Sequence, residues 1–308
     1  MSAFAVPRVF TPVLTPFNAE LAVDIPQLLA FCRWLVGQGA GLALFGTNSE
    51  ANSLSLAERR AVLDHVCAAD IDPAHLLPGT GACALPDAIE LTRHAARAGC
   101  AGVLMLPPFY YRNVSDDGLF AYYSEVIEAV GSNDLRVLLY HIPQLSGVPI
   151  SFALIERLRA AYPHTVVGIK DSSGDWSNTA ELLARFPGFK VFPASEALLG
   201  LALPLGAAGC ISATANLQPA AIASVLAATT LETRSACVER VSTLRLAVQS
   251  LPMIPALKAV VAHYAGQAGW ARVRPPLVPY RAPEAHALLT QLDALGFAMP
   301  GLAQMAAR

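Results

Sequence analysis

The sequence predicts an α/β fold, a parallel (β/α)8 TIM barrel with a C-terminal helical extension, and three observations lead there. Eight short apolar runs rich in leucine and β-branched residues recur at 9–17, 41–46, 76–81, 102–108, 136–143, 166–170, 191–195 and 209–214. Stretches with helical punctuation separate them, so strands alternate with helices, as parallel βα units require. Residues 216–308 then follow the eighth run, more chain than the single helix that closure needs. We therefore expect one domain in two parts: 1–215 with the barrel strands and the face at their carboxyl ends, and 216–308 with the closing helix and the extension.

The punctuation can be read in order. Asp24 precedes Pro26, an N-cap followed by a proline suited to a first helical turn. Gly37 and Gly39 end that stretch before the second run. Ser55 and Glu58 form a capping-box pattern, and Gly99 closes a helix before the fourth run. The uncharged run 197–215 is broken by Pro204, Gly206 and Gly209, so it reads as a buried helix followed by a strand rather than a membrane span. Beyond it, helical patterns fall at 219–228, 232–249, 254–266 and 283–295. Neither a Gly/Ser/Pro-rich linker nor an internal repeat beyond the βα unit interrupts them.

Of the 308 residues 54% are hydrophobic and 14% charged, so a large core is available and other subunits are expected to cover part of the surface. A net charge of −2, from 21 basic and 23 acidic residues with no basic run, argues against nucleic acid as a partner. Cys32, Cys67, Cys83, Cys100, Cys210 and Cys237 are widely spaced and form no C-x-x-C, which disfavours a metal or disulfide framework. The segment 1–7 lacks the charged-then-apolar pattern of a signal peptide, and the cytoplasm is the expected location.

Chemistry gathers at the ends of the runs. Lys170 ends the run 166–170 and is followed by Asp171-Ser-Ser-Gly-Asp175. An amine delivered to the mouth of a buried strand is a nucleophile towards a ketone carbonyl when desolvation removes its proton. By itself it reads more readily as a strand-ending lysine reaching for water. The run 136–143 moves the balance, because it ends in Tyr140-His-Ile-Pro143 and so offers a phenol beside the amine. Parallel strands open their carboxyl ends onto one ligand-binding face, and Schiff-base chemistry needs both an attacking amine and a hydroxyl that moves protons.

Three further strand ends are weaker signals. Gly46-Thr-Asn-Ser-Glu50 can present N–H groups and a hydroxyl to a carboxylate, although any sharp turn into a helix uses the same residues. Pro107-Pro-Phe-Tyr-Tyr-Arg112 places two adjacent aromatic residues in a loop, more often packing or interface residues than catalysts. Gly79-Thr-Gly81 lacks the Lys-Ser/Thr of a P-loop and reads as a close-packed barrel mouth. Glu90 lies one helical turn before His94, without a third ligand, and both His94 and His141 read as structural histidines.

Six motifs in order, Thr11-Pro-Val-Leu-Thr-Pro-Phe17, Gly46-Thr-Asn-Ser-Glu50, Pro108-Phe-Tyr-Tyr111, Tyr140-His-Ile-Pro143, Gly168-Ile-Lys-Asp-Ser-Ser-Gly174 and Ile254-Pro-Ala-Leu-Lys258, make the chain resemble the dihydrodipicolinate synthase / N-acetylneuraminate lyase superfamily over nearly its full length. The resemblance implies a class I aldolase built as a dimer of dimers and working without metal or organic cofactor. It makes Lys170 the Schiff-base lysine for pyruvate or another 2-oxo acid and Tyr140 its proton shuttle. It places Thr47 and Asn48 at the pyruvyl carboxylate, with Thr47 also bridging two tyrosines of a proton relay. Tyr110 matches the tyrosine exchanged between neighbouring subunits, and the main chain at Ile211 lines the pocket. The residues alone do not choose Tyr110 over Tyr111.

Departures from the family patterns point to a branch. The synthases carry two threonines where this chain has Thr47-Asn48, glycine where it has Ser49, and an arginine for the aldehyde's carboxylate where it has Leu145. The acidic pair that sialic-acid lyases use for the sugar polyol is reduced to Ser195-Glu196. Asn48 and the late Ile-Pro-x-Leu-Lys are nearest to the 4-hydroxy-2-oxoglutarate and 2-keto-3-deoxy-sugar-acid aldolases. The expected reaction is thus carbon-carbon cleavage or condensation between a 2-oxo acid and an aldehyde. The alternatives are 4-hydroxy-tetrahydrodipicolinate synthesis from aspartate semialdehyde and a non-catalytic 2-oxo-acid-binding regulator. Retention of both Lys170 and Tyr140 weighs against the last, since binding alone requires neither.

Overall fold

A computed structural model describes residues 6–306; the reading of segment 1–7 falls largely outside them. Among the described residues seven parallel strands are formed: β1 (Val9–Thr11), β2 (Gly41–Leu42), β3 (Val103–Met105), β4 (Val137–His141), β5 (Val166–Asp171), β6 (Lys190–Pro193) and β7 (Cys210–Ile211). They run β2-β1-β7 and β3-β4-β5-β6, and two further connections close the ring. Ala208 N–H donates to Val191 O at 2.9 Å beside β7. Between β2 and β3 the expected third strand serves as a bridging segment, pairing Leu42 with Leu76 and Gly79 with Leu104. Pro78, in its middle, has no N–H to donate, so the ladder there reduces to single bridges around its carbonyl, which accepts from Leu104 N–H at 2.9 Å. The first expected strand is likewise short, ending where Pro12 begins an irregular exit.

Alternation along the strands sorts side chains into two cores. Leu104, Leu138, Tyr140 and Phe192 join Phe10 and Ile211 inside the barrel, while Val103, Met105, Val137, Leu139, Ile169 and Val191 face the helices. Burial on both faces is what a parallel sheet demands, and it explains why the runs read as continuously apolar. The outer ring is α1 (Ile25–Gly37), α2 (Leu56–Cys67), α3 (Leu85–Arg97), α4 (Asp116–Val130), α5 (Pro143–Ser146), α6 (Phe152–Ala161), α7 (Trp176–Arg185), α8 (Leu199–Ala202) and α9 (Pro219–Ala227). Asp24 caps α1 by accepting from Gln27 N–H at 3.2 Å, and Ser55 with Glu58 forms the expected box at α2.

The C-terminal part is helical: α10 (Leu231–Val248), α11 (Met253–Ala265), α12 (Ala282–Ala294) and α13 (Leu302–Ala306). It docks on the barrel's flank through named bonds, Trp34 Nε1–H to Pro300 O at 2.9 Å and Trp270 Nε1–H to Gln27 Oε1 at 3.2 Å. The run 197–215 forms short α8 followed by β7, and among the described residues no single helix is long and apolar enough to cross a membrane.

Candidate active site

β4 and β5 pair so that Tyr140 stands beside Lys170, and β5 pairs with β6 so that Lys170 stands beside Phe192. Register neighbours in a parallel sheet share a face, and here that face is the barrel interior. Lys170 is 2% exposed, and its Nζ lies 4.2 Å from the centroid of the Tyr140 ring. The Tyr140 hydroxyl in turn meets Thr47 Oγ1 at 3.0 Å, across from the β2 exit. Three strand ends far apart in sequence thus bring amine, phenol and alcohol into one chain of contacts.

Alternation also explains why the amine has no counter-ion. Asp171, one residue on, faces outward, where its carboxylate accepts from Ser173 N–H at 3.0 Å, Thr179 Oγ1–H at 2.6 Å and Asn178 Nδ2–H at 3.1 Å. It is taken up in organising the entry to α7, and among the described residues no carboxylate pairs with Lys170. His141 faces outward too. Its Nδ1 accepts from Ile150 N–H at 3.1 Å, and burial holds the imidazole below its ordinary 6.5 while Asp171 pulls the other way.

The turn after β2 is a short 3-10 helix, Thr47–Ser49. The groups at its start, the N–H of Thr47 and of Asn48, have no main-chain acceptor among the described residues, as first-turn N–H groups cannot. Asn48 is half-buried and its amide makes no hydrogen bond among them. Gly79 and Gly81 pack the mouth closely: a Cβ on Gly79 would stand 2.3 Å from Phe45 O, and one on Gly81 2.4 Å from Leu106 O. Any side chain at either place would push neighbouring loops apart. Ile211 is fully buried beside Phe10 at the β7 end.

Tyr110 and Tyr111 are not brought to this group. They stand 77% and 72% exposed with their rings packed edge to face, centroids 5.3 Å apart. His94 and Glu90 part company as well, His94 bonding Asp64 at 2.7 Å and Glu90 bonding Arg60 at 2.5 Å.

Sequence reading missed several residues of the site. Asn52 and Leu106 line a small cavity with Phe45, Thr47, Ala51 and Tyr140; nothing in their spacing marks them. Glu50, read only as part of a polar turn, is buried and bound to Lys258 Nζ at 2.6 Å. Glu196 is fully buried, accepting from the hydroxyls of Ser212 and Thr214, from Gln218 Nε2 at 3.2 Å and from Arg245 Nη1 at 3.2 Å. It braces the exit of β7, and those bonds, rather than a substrate, take its charge.

A buried amine beside a phenol, at the carboxyl ends of a closed parallel barrel, defines a class of lyases that work through a lysine. A sequence profile of the dihydrodipicolinate synthetase family matches residues 5–295. A DapA-like lyase of Chloroflexus aurantiacus is 35% identical over 288 residues, covering 92% of this chain and 95% of its own. A dihydrodipicolinate synthase from Agrobacterium tumefaciens superposes with a TM-score of 0.83 at 34% identity, covering 94% of this chain and 99% of its own. YagE of Escherichia coli K12, solved in complex with pyruvate, gives 0.86 at 26%, with 94% and 98% covered. The chain belongs to the dihydrodipicolinate synthetase family, and so to the pyruvate-dependent class I lyases.

Proposed function

We propose that Lys170 forms an enamine with pyruvate and that the enzyme makes or breaks a carbon-carbon bond between it and an aldehyde, with cleavage of 4-hydroxy-2-oxo acids preferred. The observation that carries this reading is the register of Tyr140 beside Lys170 on the interior face, with Thr47 bonded to the phenol. The amine attacks the C2 carbonyl, and Tyr140 passes a proton to the carbinolamine oxygen as water leaves. The iminium then draws in the electrons of the C3–C4 bond while the C4 hydroxyl gives its proton to the Tyr140 phenolate and the aldehyde departs. Protonation of the enamine at C3 and hydrolysis release pyruvate. The leading N–H groups of the Thr47–Ser49 turn, with Asn48, hold the carboxylate. Tyr110 serves a neighbouring subunit's site in a dimer of dimers, which accounts for its exposure in the single chain.

The acceptor half distinguishes the branches. Leu145 is 62% exposed and offers no charge to a carboxylate, and Glu196 is already bonded within the protein, which disfavours polyol recognition by it. A second reading, synthesis from aspartate semialdehyde, is favoured by the relatives' names and by Arg112. That side chain lies against Gly147, its Cδ 2.9 Å from where a Cβ would be, and brings a cation to the turn that carries Leu145. A panel of 4-hydroxy-2-oxo acids assayed for pyruvate and aldehyde release, run beside condensation with aspartate semialdehyde, tests the choice. We expect the higher specificity constant for cleavage; a higher one for aspartate semialdehyde makes the synthase reading correct.

A further inference from the structure

Glu50 ends the Thr47–Ser49 turn in the left-handed region, φ 55°, where a non-glycine residue stays only when its surroundings hold it. What holds it comes from outside the barrel strands. Lys258 of α11 donates to Glu50 Oε1 at 2.6 Å, with both side chains fully buried, and the main-chain N–H of Arg274 donates to Oε2 at 2.9 Å. Arg274 Nη1 donates to Ser53 O at 2.8 Å further along the same loop. Both cations lie over the Phe17 ring, 4.4 and 4.7 Å from its centroid. From the other side Thr15 Oγ1–H donates to Ser49 O at 2.7 Å. The loop carrying Thr47 and Asn48 is thus pinned between the β1 exit and the C-terminal helices, and none of the pinning groups bonds Lys170 or Tyr140.

Resting on the proposed function, we propose that Glu50 and Lys258 are positioning residues. Through this buried pair the C-terminal helices set the turn that grips the 2-oxo acid's carboxylate, so substrate affinity depends on a lysine of α11 more steeply than the reactivity of Lys170, which the turn reaches only through the Thr47–Tyr140 bond. Burial lowers the Lys258 ammonium to about 8 against the pull of Glu50.

The test uses pyruvate as probe and borohydride trapping as readout, giving a half-saturating concentration and a limiting rate for each protein. Lys258→Met is expected to raise half-saturation tenfold or more with a clearly smaller fall in the limiting rate. The double variant Glu50→Gln/Lys258→Met leaves no unpaired charge. It is expected to regain stability but keep the raised half-saturation, and it carries the test alone if the single variant does not fold. Unchanged half-saturation, its recovery in the double variant, or an equal fall in limiting rate would overturn the proposal. No trapping in the wild type would instead overturn the enamine reading on which it rests.

Discussion

Lys170 and Lys258 are both almost wholly buried, at 2% and 0% exposure, and both lie over an aromatic ring, yet their surroundings differ in one respect. Lys258 faces a carboxylate at 2.6 Å, whereas beside Lys170 the nearest chain neighbour with a carboxylate, Asp171, is turned to the opposite side of the strand. A buried ammonium with its counter-ion is a structural tie whose breaking leaves an uncompensated charge. A buried lysine beside a phenol, with no carboxylate bonded to it, is left free to serve as a nucleophile. Burial of a lysine therefore says little about its use; the partner decides.

The largest effect follows from deleting the amine. Lys170→Met keeps the apolar stem and should eliminate turnover, while denaturant midpoints stay level or rise because no ion pair is broken. A marked loss of stability would mean that Lys170 too is a tie. Tyr140→Phe should lower turnover by about 10² to 10⁴ with little change in melting temperature, since only a hydroxyl is lost. A variant that keeps most of its activity would return the phenol to a packing role.

The mirror experiment is Lys258→Met, which strands Glu50 without a charge partner and should cost about 3–5 kcal/mol in urea unfolding. Equal destabilisation by the two lysine substitutions would erase the contrast. The smallest effect concerns the rim of the same tie, where Arg274 holds the Glu58 carboxyl at about 2 from its ordinary 4.5 through bonds of 2.5 and 3.0 Å. A depressed carboxylate stabilises fully above 4.5 and loses that contribution as pH falls towards 2. Glu58 is partly exposed and screened, so Glu58→Gln should cost no more than about 1 kcal/mol at pH 7, with the difference from wild type vanishing near pH 2. A difference that persists at pH 2 would refute the ion-pair origin.

These two lysines also mark how far the sequence could be read. The barrel was legible because each strand is buried on both faces and so appears as an apolar run between helix signals. Lys170 and Tyr140 were legible because strand ends of a parallel barrel converge, Thr47 only through the family resemblance, and the structure brings those three together. The third strand is less regular than its apolar run predicts, since Pro78 removes the N–H that a full ladder needs. The Glu50–Lys258 tie joins residues 208 positions apart, and no periodicity or cap announces such a pair. Asn52 and Leu106 enter the cavity only through the way the loop folds back. That Asp171 would leave Lys170 alone was implicit in strand alternation but needed the register to be seen.

Three lysines are present in the chain, Lys170, Lys190 and Lys258, which makes one measurement decisive. Reduction with borohydride in the presence of pyruvate, followed by peptide mapping, should give a single secondary-amine adduct at Lys170 and leave Lys190 and Lys258 unmodified. An adduct at Lys258 or Lys190 in place of Lys170, or no adduct at all, would contradict the assignment of the nucleophile.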